Sequence, residues 1–287
     1  MEANSWRIPL TTAIAPIIWG STYYLTRNFL PPEYPLTAAT IRALPAGLIL
    51  LAITRKLPHG IWWIRTLIIS TLTISGFFIL VYISGSKLPS SIASMIMALS
   101  PIATITMAHL LLNEKITPRT LSGGFLGLLG VFTLLGGTTG HLDPTGLLAA
   151  GAGMISSALG FVLTRRWKPP VNATTFTAWQ LTLGGMITTP IALLAEGIMP
   201  APSMSTTAAF AYIVFFASIL AYICWFTGVT RLPASTVSII GLLNPLTGLV
   251  LGTVLAGEVL SFVQVLGCLA ILGGIYAGVR TPSPQKS

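Results

Sequence analysis

The chain has 287 residues, of which 7% are charged and 53% apolar, with 28 Gly, a net charge of +9 and a mean hydropathy of +0.85. A soluble domain carries about 25% charged residues, so a water-soluble globule is excluded. A pI of about 10.0 would point to a nucleic-acid partner in a soluble chain; here no Lys/Arg cluster falls on an amphipathic helix, and no nucleic acid is implied.

Residues 66–86, 88–113, 120–140, 171–195, 197–230, 232–257 and 259–279 hold no Asp, Glu, Lys or Arg. About 20 apolar residues span a bilayer core of about 30 Å as a helix. In chain order, Pro, Gly and charge punctuate ten predicted helices, near 8–27, 35–54, 64–85, 90–112, 118–137, 144–165, 174–195, 207–229, 234–256 and 261–279. The first carries Ala13-Ile14-Ala15, which mimics a signal-peptidase site, but its apolar run continues through Trp19 and Tyr24, so an uncleaved helix is expected. The connections leave no room for a soluble domain. The expected fold class is an all-α polytopic membrane protein of ten transmembrane helices.

Cytoplasmic loops retain Lys and Arg. With the N-terminus inside, the cytoplasmic set is Arg7, Arg55, Lys56, Arg65, Lys115, Arg119, Arg165, Arg166, Lys168, Arg231, Arg280 and Lys286, against Arg27 and Lys87 outside. Both termini are therefore expected in the cytoplasm of a cell with an inner (plasma) membrane. The same count makes the sequon at Asn172 a cytoplasmic coincidence. Cys224 and Cys268 lie inside apolar runs and imply no disulfide framework, metal site or cofactor.

Residues 88–101, LPSSIASMIMALSP, return as LPASTVSIIGLLNP at 232–245. Adding 144 brings Leu88, Pro89, Ser91, Ser94, Ile96, Leu99 and Pro101 onto identical residues without a gap, and Glu114 onto Glu258, Gly123 onto Gly267 and Gly130 onto Gly274. Thr117 meets Ser261, and both stand where a helix N-cap is wanted. Upstream the offset is 138, so that Arg27 meets Arg165 and Arg42 meets Gln180, the difference fitting the longer loop near 196–205. The chain thus divides into a first five-helix repeat, 1–140, and a second, 141–287. Five is odd, so the second repeat enters the membrane from the opposite side, the architecture of secondary transporters that bind substrate between their halves.

PIIWGSTYY in the first helix, the Pro of ALSP and LLNP in the fourth and ninth, and the Glu thirteen residues later resemble the EamA-type exporters of the drug/metabolite transporter superfamily. The resemblance covers both repeats. It implies ten helices as two inverted repeats, with helices one to four and six to nine around a central cavity and five and ten peripheral. It is nearest to the bacterial amino-acid exporters, those for aromatic amino acids included. Asn113 stands where Gly is more usual before the first Glu, and Arg27 where Lys often ends the first helix, which leaves the substrate open.

Polar groups inside apolar helices take their meaning from position, because an unsatisfied one in hydrocarbon is costly. Thr12, Pro16, Trp19, Tyr23 and Thr26 form one face of the first helix, and Ser75, Phe78, Tyr82 and Gly85 one face of the third. These faces read either as walls of an organic-substrate cavity, with Tyr222 of helix eight, or as helix-packing surfaces. Arg42 is the one Lys or Arg deep in a span; it suits a substrate carboxylate, backbone carbonyls or snorkelling outward. Gln180 is its neutral counterpart. Pro101 and Pro245 are expected to bend the fourth and ninth helices and serve as gating hinges, with Ser100 and Asn244 beside them satisfying freed backbone or facing substrate. Glu114 and Glu258 are expected to be solvated helix ends, and Trp6, Trp62, Trp63 and Trp167 interfacial anchors. His109 reads as a structural His near the cytoplasmic end.

No Asp or Glu lies deep in a span, which leaves proton coupling through a buried carboxylate without a candidate. One Arg is too little cationic charge for phosphorylated sugars. An intramembrane enzyme needs a nucleophile with its base, or paired carboxylates; the spans offer neither, so no enzyme is expected. A selective pore needs rings of carbonyls or charges, which two unequal halves do not supply. The expected function is export of small metabolites, neutral and aromatic amino acids foremost, by alternating access, with other small organic metabolites or drugs as the alternative. The partners are that small molecule and the lipid bilayer; the oligomeric state is open.

Overall fold

The computed structural model describes residues 6–88, 93, 96–135, 143–256 and 261–279. Pro89, Ser91 and Ser94 of the repeated stretch, the repeat boundary at 140 and 141, Glu258, Arg280 and Lys286 lie outside the described residues, as do the side chains of Tyr23 and Arg27. Among the described residues the protein is helical, without a strand.

In chain order the helices are α1 (Arg7–Phe29), α2 (Pro35–Thr54), α3 (Trp62–Lys87), α4 (Ser100–Leu112), α5 (Pro118–Leu135), α6 (Pro144–Trp167), α7 (Ala173–Glu196), α8 (Met204–Arg231), α9 (Ala234–Ile240), α10 (Leu243–Ala256) and α11 (Phe262–Val279). Their starts follow from short polar residues that accept from the otherwise unpaired first N–H groups. Asp143 accepts from the Gly146 N–H at 2.9 Å, Asn172 from Thr175 at 2.9 Å and Ser203 from Thr206 at 3.2 Å. Thr117 takes the Thr120 N–H, and Pro118 follows it where Pro suits a first turn. Ser261 and Gln264 cap each other's backbone reciprocally. The two expected caps at Thr117 and Ser261 are therefore both made.

Five helices, α2, α3, α6, α7 and α8, are long and apolar enough to cross a membrane. Their outward faces carry large apolar side chains: Leu194 is 90% exposed, Leu148 74% and Ile53 68%. Such a surface needs hydrocarbon around it, and the protein is a polytopic membrane protein.

Helices pair in antiparallel fashion through small residues, which let backbones approach where no aqueous hydrophobic effect drives helices together. On α2 and α7, a Cβ at Gly47 would lie 2.4 Å from the Thr182 nitrogen and one at Gly185 2.7 Å from Leu44. On α5 and α11, Gly123 meets the Gly274 carbonyl at 2.7 Å and Gly130 that of Gly267 at 2.6 Å, measured from the same hypothetical Cβ. The remaining long contacts run between α1 and both α8 and α10, and between α6 and both α3 and α4.

α3 and α8 each contain a π-helical stretch, Thr71–Ser75 and Ile213–Leu220. Adding 144 to the first places it at 215–219, within the second. At the expected Pro101 and Pro245 bends the helices are interrupted by short turns. A turn at Leu99 precedes α4, which starts at Ser100, and a turn at 241–242 separates α9 from α10, which starts at Leu243. Each proline then occupies a first turn, where its missing N–H costs nothing, instead of a helix interior.

Candidate functional site

Four of the side chains that sequence reading picked out, Trp19, Arg42, Phe78 and Tyr222, meet around one backbone carbonyl inside the bundle. Ala217 lies in the π-helical stretch of α8, where the wider turn takes carbonyls out of α register. Its oxygen accepts from Trp19 Nε1 of α1 at 2.8 Å and, at the long limit of 3.5 Å, from Arg42 Nη2 of α2. Arg42 also sits over the Phe78 ring of α3, 5.3 Å from its centroid. The cation therefore has one face on an aromatic ring and one edge on a carbonyl, which suits a guanidinium in low dielectric.

Trp19 continues into an aromatic wall. Its ring lies 5.1 Å from Tyr222 and 5.3 Å from Trp225, and Trp225 lies 5.4 Å from Phe161 of α6. These spacings are those of favourable edge and tilted ring pairs. Gln180 of α7 is fully buried and accepts from Thr73 at 3.3 Å. A Cβ at Gly20 would stand 2.7 Å from the Asn244 carbonyl, so the residue after Trp19 brings α1 onto the start of α10.

Arg42 Nε, Ser75 Oγ, Gln180 Nε2, Ser218 Oγ, Trp225 Nε1 and Asn244 Oδ1 are buried without a hydrogen-bond partner among the described residues. Buried polar atoms are ordinarily paired; these six share that lack with seven others, among them Thr66 Oγ1, Ser84 Oγ and Thr177 Oγ1. Trp19, Arg42, Phe78 and Tyr222 are thus joined directly or through the Ala217 carbonyl, with Asn244 beside Gly20, whereas the hydrogen bond of Gln180 runs to Thr73, apart from that group. Ser100 is half-buried at the α4 start and Tyr82 is 38% exposed; neither makes a contact that ties it to this cluster.

A cavity of about 470 Å³ opens about a turn along α1 from Trp19, between α1, α8 and α10, and is lined by Ser21, Tyr24, Phe29, Ser205, Tyr212 and Leu251. Ser21 and Tyr212 hydrogen-bond at 2.8 Å in its wall, and Tyr212 stacks on Phe216, next to Ala217.

At the other end of the bundle a polar clamp joins α4, α6 and α9. Arg165 Nε donates to Glu114 Oε1 at 2.7 Å, Arg165 Nη1 donates to the Leu232 carbonyl, and the Ala234 N–H reaches the same Glu114 oxygen at 3.2 Å. Glu114 is only 18% exposed, so the expected solvated helix end is instead a half-buried ion pair. The αL turn at Asn113, φ 54°, folds the chain back to place it, and His109 Nδ1 pairs with the Glu114 carbonyl at 3.0 Å. Nearby, Arg65 is sandwiched between Trp62 and Trp167, at 5.2 and 5.5 Å. Trp62 is 6% exposed, buried under that cation and not an interfacial anchor, whereas Trp6 and Trp63 are 42% and 45% exposed.

Trp225, Phe161, the Ala217 carbonyl and Glu196 escaped the sequence reading. The aromatic residues of α8 at 222, 225 and 226 recur at helical spacing and carried a usable signal. The carbonyl did not, since nothing in IVFFASIL marks a π turn.

Apolar outer faces, spanning helices and a polar, aromatic centre define a membrane transporter. The chain belongs to the EamA-like transporter family, whose model matches residues 6–136 and again 144–279. It is 34% identical over 263 residues to Protein PecM of Dickeya dadantii (strain 3937), covering 91% of this chain and 88% of that one. It is 29% identical to the uncharacterized inner membrane transporter YedA of Escherichia coli (strain K12), covering 86% and 82%. A probable amino-acid metabolite efflux pump of Salmonella typhimurium is 24% identical, covering 92% and 91%. A crystal structure of a protein 19% identical shares the fold, with a TM-score of 0.82 over 95% of this chain and 98% of that one.

Proposed function

We propose that the chain exports small neutral amphipathic metabolites, aromatic and other neutral amino acids foremost, by alternating access between two inverted five-helix repeats, 1–140 and 141–287. The observation that carries the substrate reading is the convergence of Trp19 and Arg42 on the Ala217 carbonyl beside unpaired buried polar atoms. A guest with one carboxylate would take Arg42 in place of that long backbone bond, and a flat apolar remainder would lie along Trp19, Tyr222 and Trp225. Gln180, Asn244 and Ser75 supply neutral partners for an amino group. Phe78, Tyr23, Tyr82 and Ser100 complete the proposed lining. The efflux-pump relative named for amino-acid metabolites agrees with this substrate class.

The inverted layout is supported by the packing. Exchanging the halves by the sequence offsets turns the contact of Gly47 with Thr182 into that of Gly185 with Leu44, and the contact of Gly123 with Gly274 into that of Gly267 with Gly130. α1 on α8 and α10 likewise answers to α6 on α3 and α4. Two halves related by a twofold in the membrane plane can exchange conformations, which supports alternating access. With both termini cytoplasmic and ten spans, the Glu114–Arg165 clamp closes the cytoplasmic end, and the 470 Å³ cavity lies at the outer end. The turns before Pro101 and Pro245 sit where the hinges are expected.

Reconstitution in liposomes with a labelled amino-acid panel tests the reading. Saturable movement of at least one neutral amino acid above empty liposomes is expected. If none moves, the substrate reading fails.

A further inference from the structure

We infer that the clamp end of the bundle carries a binding site for a phosphate-bearing anion, separate from the central cluster. A cavity of about 300 Å³, at the small end of the range of ligand sites, lies between the ends of α6 and α8 and the start of α7. Arg165, Lys168 and Arg231 line it, together with Asn172, Thr227 and Thr230. Three cations on two helices converge on one small hole.

Neutralisation of helix C-termini is the ordinary use of such residues, and it falls short here. The C-termini of α6 and α8 contribute about −0.5 charge each and the N-terminus of α7 about +0.5. Among the described residues the ion pairs are Lys87 with Asp143 and Arg165 with Glu114. The other described acids are elsewhere: Glu196 is bound to the α2 N-terminus and Glu33 lies in the α1–α2 connection. Glu114 offsets Arg165, and the dipoles offset less than one further charge, so Lys168 and Arg231 keep an excess of positive charge facing the cavity. The threonine hydroxyls do not change this. Thr164, Thr227 and Thr230 donate their protons to carbonyls of their own helices, which leaves the cations and the Asn172 side-chain NH2 as donors to a ligand.

A tetrahedral oxyanion uses several such donors at once, bidentate on Arg and point-like on Lys. Two sources carry that chemistry at a membrane surface: the headgroup of an anionic phospholipid, which basic pockets between helices on the cytoplasmic side take up, and free phosphate. The site stands whether or not the transport reading does, because none of its residues belongs to the central cluster.

The test uses the purified full-length protein in a neutral detergent. Inorganic phosphate is titrated against an equal ionic strength of chloride, and phosphatidylglycerol against phosphatidylcholine. Thermal unfolding and native mass spectrometry are the readouts. A rise in unfolding temperature with phosphate and with phosphatidylglycerol supports the site with either source; a rise with phosphatidylglycerol alone supports the headgroup. In Lys168→Gln/Arg231→Gln the apparent affinity is expected to weaken about tenfold or more, each charge near a surface contributing severalfold, while Lys168→Arg retains it. No shift with either ligand overturns the proposal, as does undiminished binding by the double variant that still unfolds cooperatively.

Discussion

Gly123 lies against Gly274 so closely that a single Cβ on the first would stand 2.7 Å from the carbonyl oxygen of the second. The α5–α11 contact is therefore backbone on backbone, repeated at Gly130 and Gly267. Gly123→Leu is expected to destabilise by about 1–3 kcal/mol through overpacking. Gly85→Ala, where nothing lies within 4 Å of the added atom, should leave the thermal unfolding midpoint unchanged or raise it slightly, since Ala favours a helix over Gly. Equal midpoints for the two variants would contradict the close-packed seam.

Trp19 offers a way to separate ring from hydrogen bond. Trp19→Phe keeps an aromatic body and removes the N–H that Ala217 accepts. Arg42 then remains as the carbonyl's long donor; with the shorter bond gone, worth about 1 kcal/mol, transport should fall severalfold, and Trp19→Ala should abolish it without unfolding the protein. Tyr82→Ala, at a 38% exposed position with no tie to the Trp19 cluster, should reduce uptake less than Trp19→Ala. Wild-type rates in both Trp19 variants would remove the residue from the site.

Glu114→Gln tests the clamp. The substitution keeps the shape and removes the charge that holds Arg165, leaving a half-buried guanidinium short of a partner. Ala234, 5% exposed in the closed clamp, is a reporter: an Ala234→Cys thiol should react faster with a maleimide once Gln replaces Glu114. Unchanged reactivity would show that the clamp does not hold this end shut.

Glu196 receives the N–H groups of Leu36 and Thr37 at 2.6 and 2.8 Å and the Thr37 hydroxyl at 2.8 Å, so one carboxylate caps α2 from the end of α7. Charge favours that position at a helix N-terminus. Glu196→Ala is expected to cost about 2–4 kcal/mol, since bonds to charged acceptors contribute about 1.5–3 kcal/mol each and water replaces part of them. Glu196→Gln should cost less. By contrast, Lys87 and Asp143, 3.7 Å apart and 43% and 31% exposed, form a surface pair contributing at most about 1 kcal/mol.

The helices were legible because lipid imposes long uncharged runs, and their starts because Thr117 and Ser261 are chemically suited to cap. The four glycines that the repeat matches, 123 with 267 and 130 with 274, are the ones in contact, but in crossed pairs, 123 with 274 and 130 with 267. What stayed hidden depends on register in three dimensions. Glu114 looks like a loop-edge carboxylate until the αL turn at Asn113 swings it under Arg165. Trp62 looks like an interfacial ring until Arg65 and Trp167 cover it. The π turn that presents the Ala217 carbonyl leaves no compositional trace.

The two halves also carry matching exposed prolines, Pro32 after α1 and, 138 residues on, Pro170 after α6. Single cysteines at these positions, in a background lacking Cys224 and Cys268, can be labelled on intact cells with a membrane-impermeant maleimide. Oppositely inserted halves predict that Pro32→Cys reacts from outside and Pro170→Cys only after the membrane is opened. Labelling of both from the same side would contradict the account.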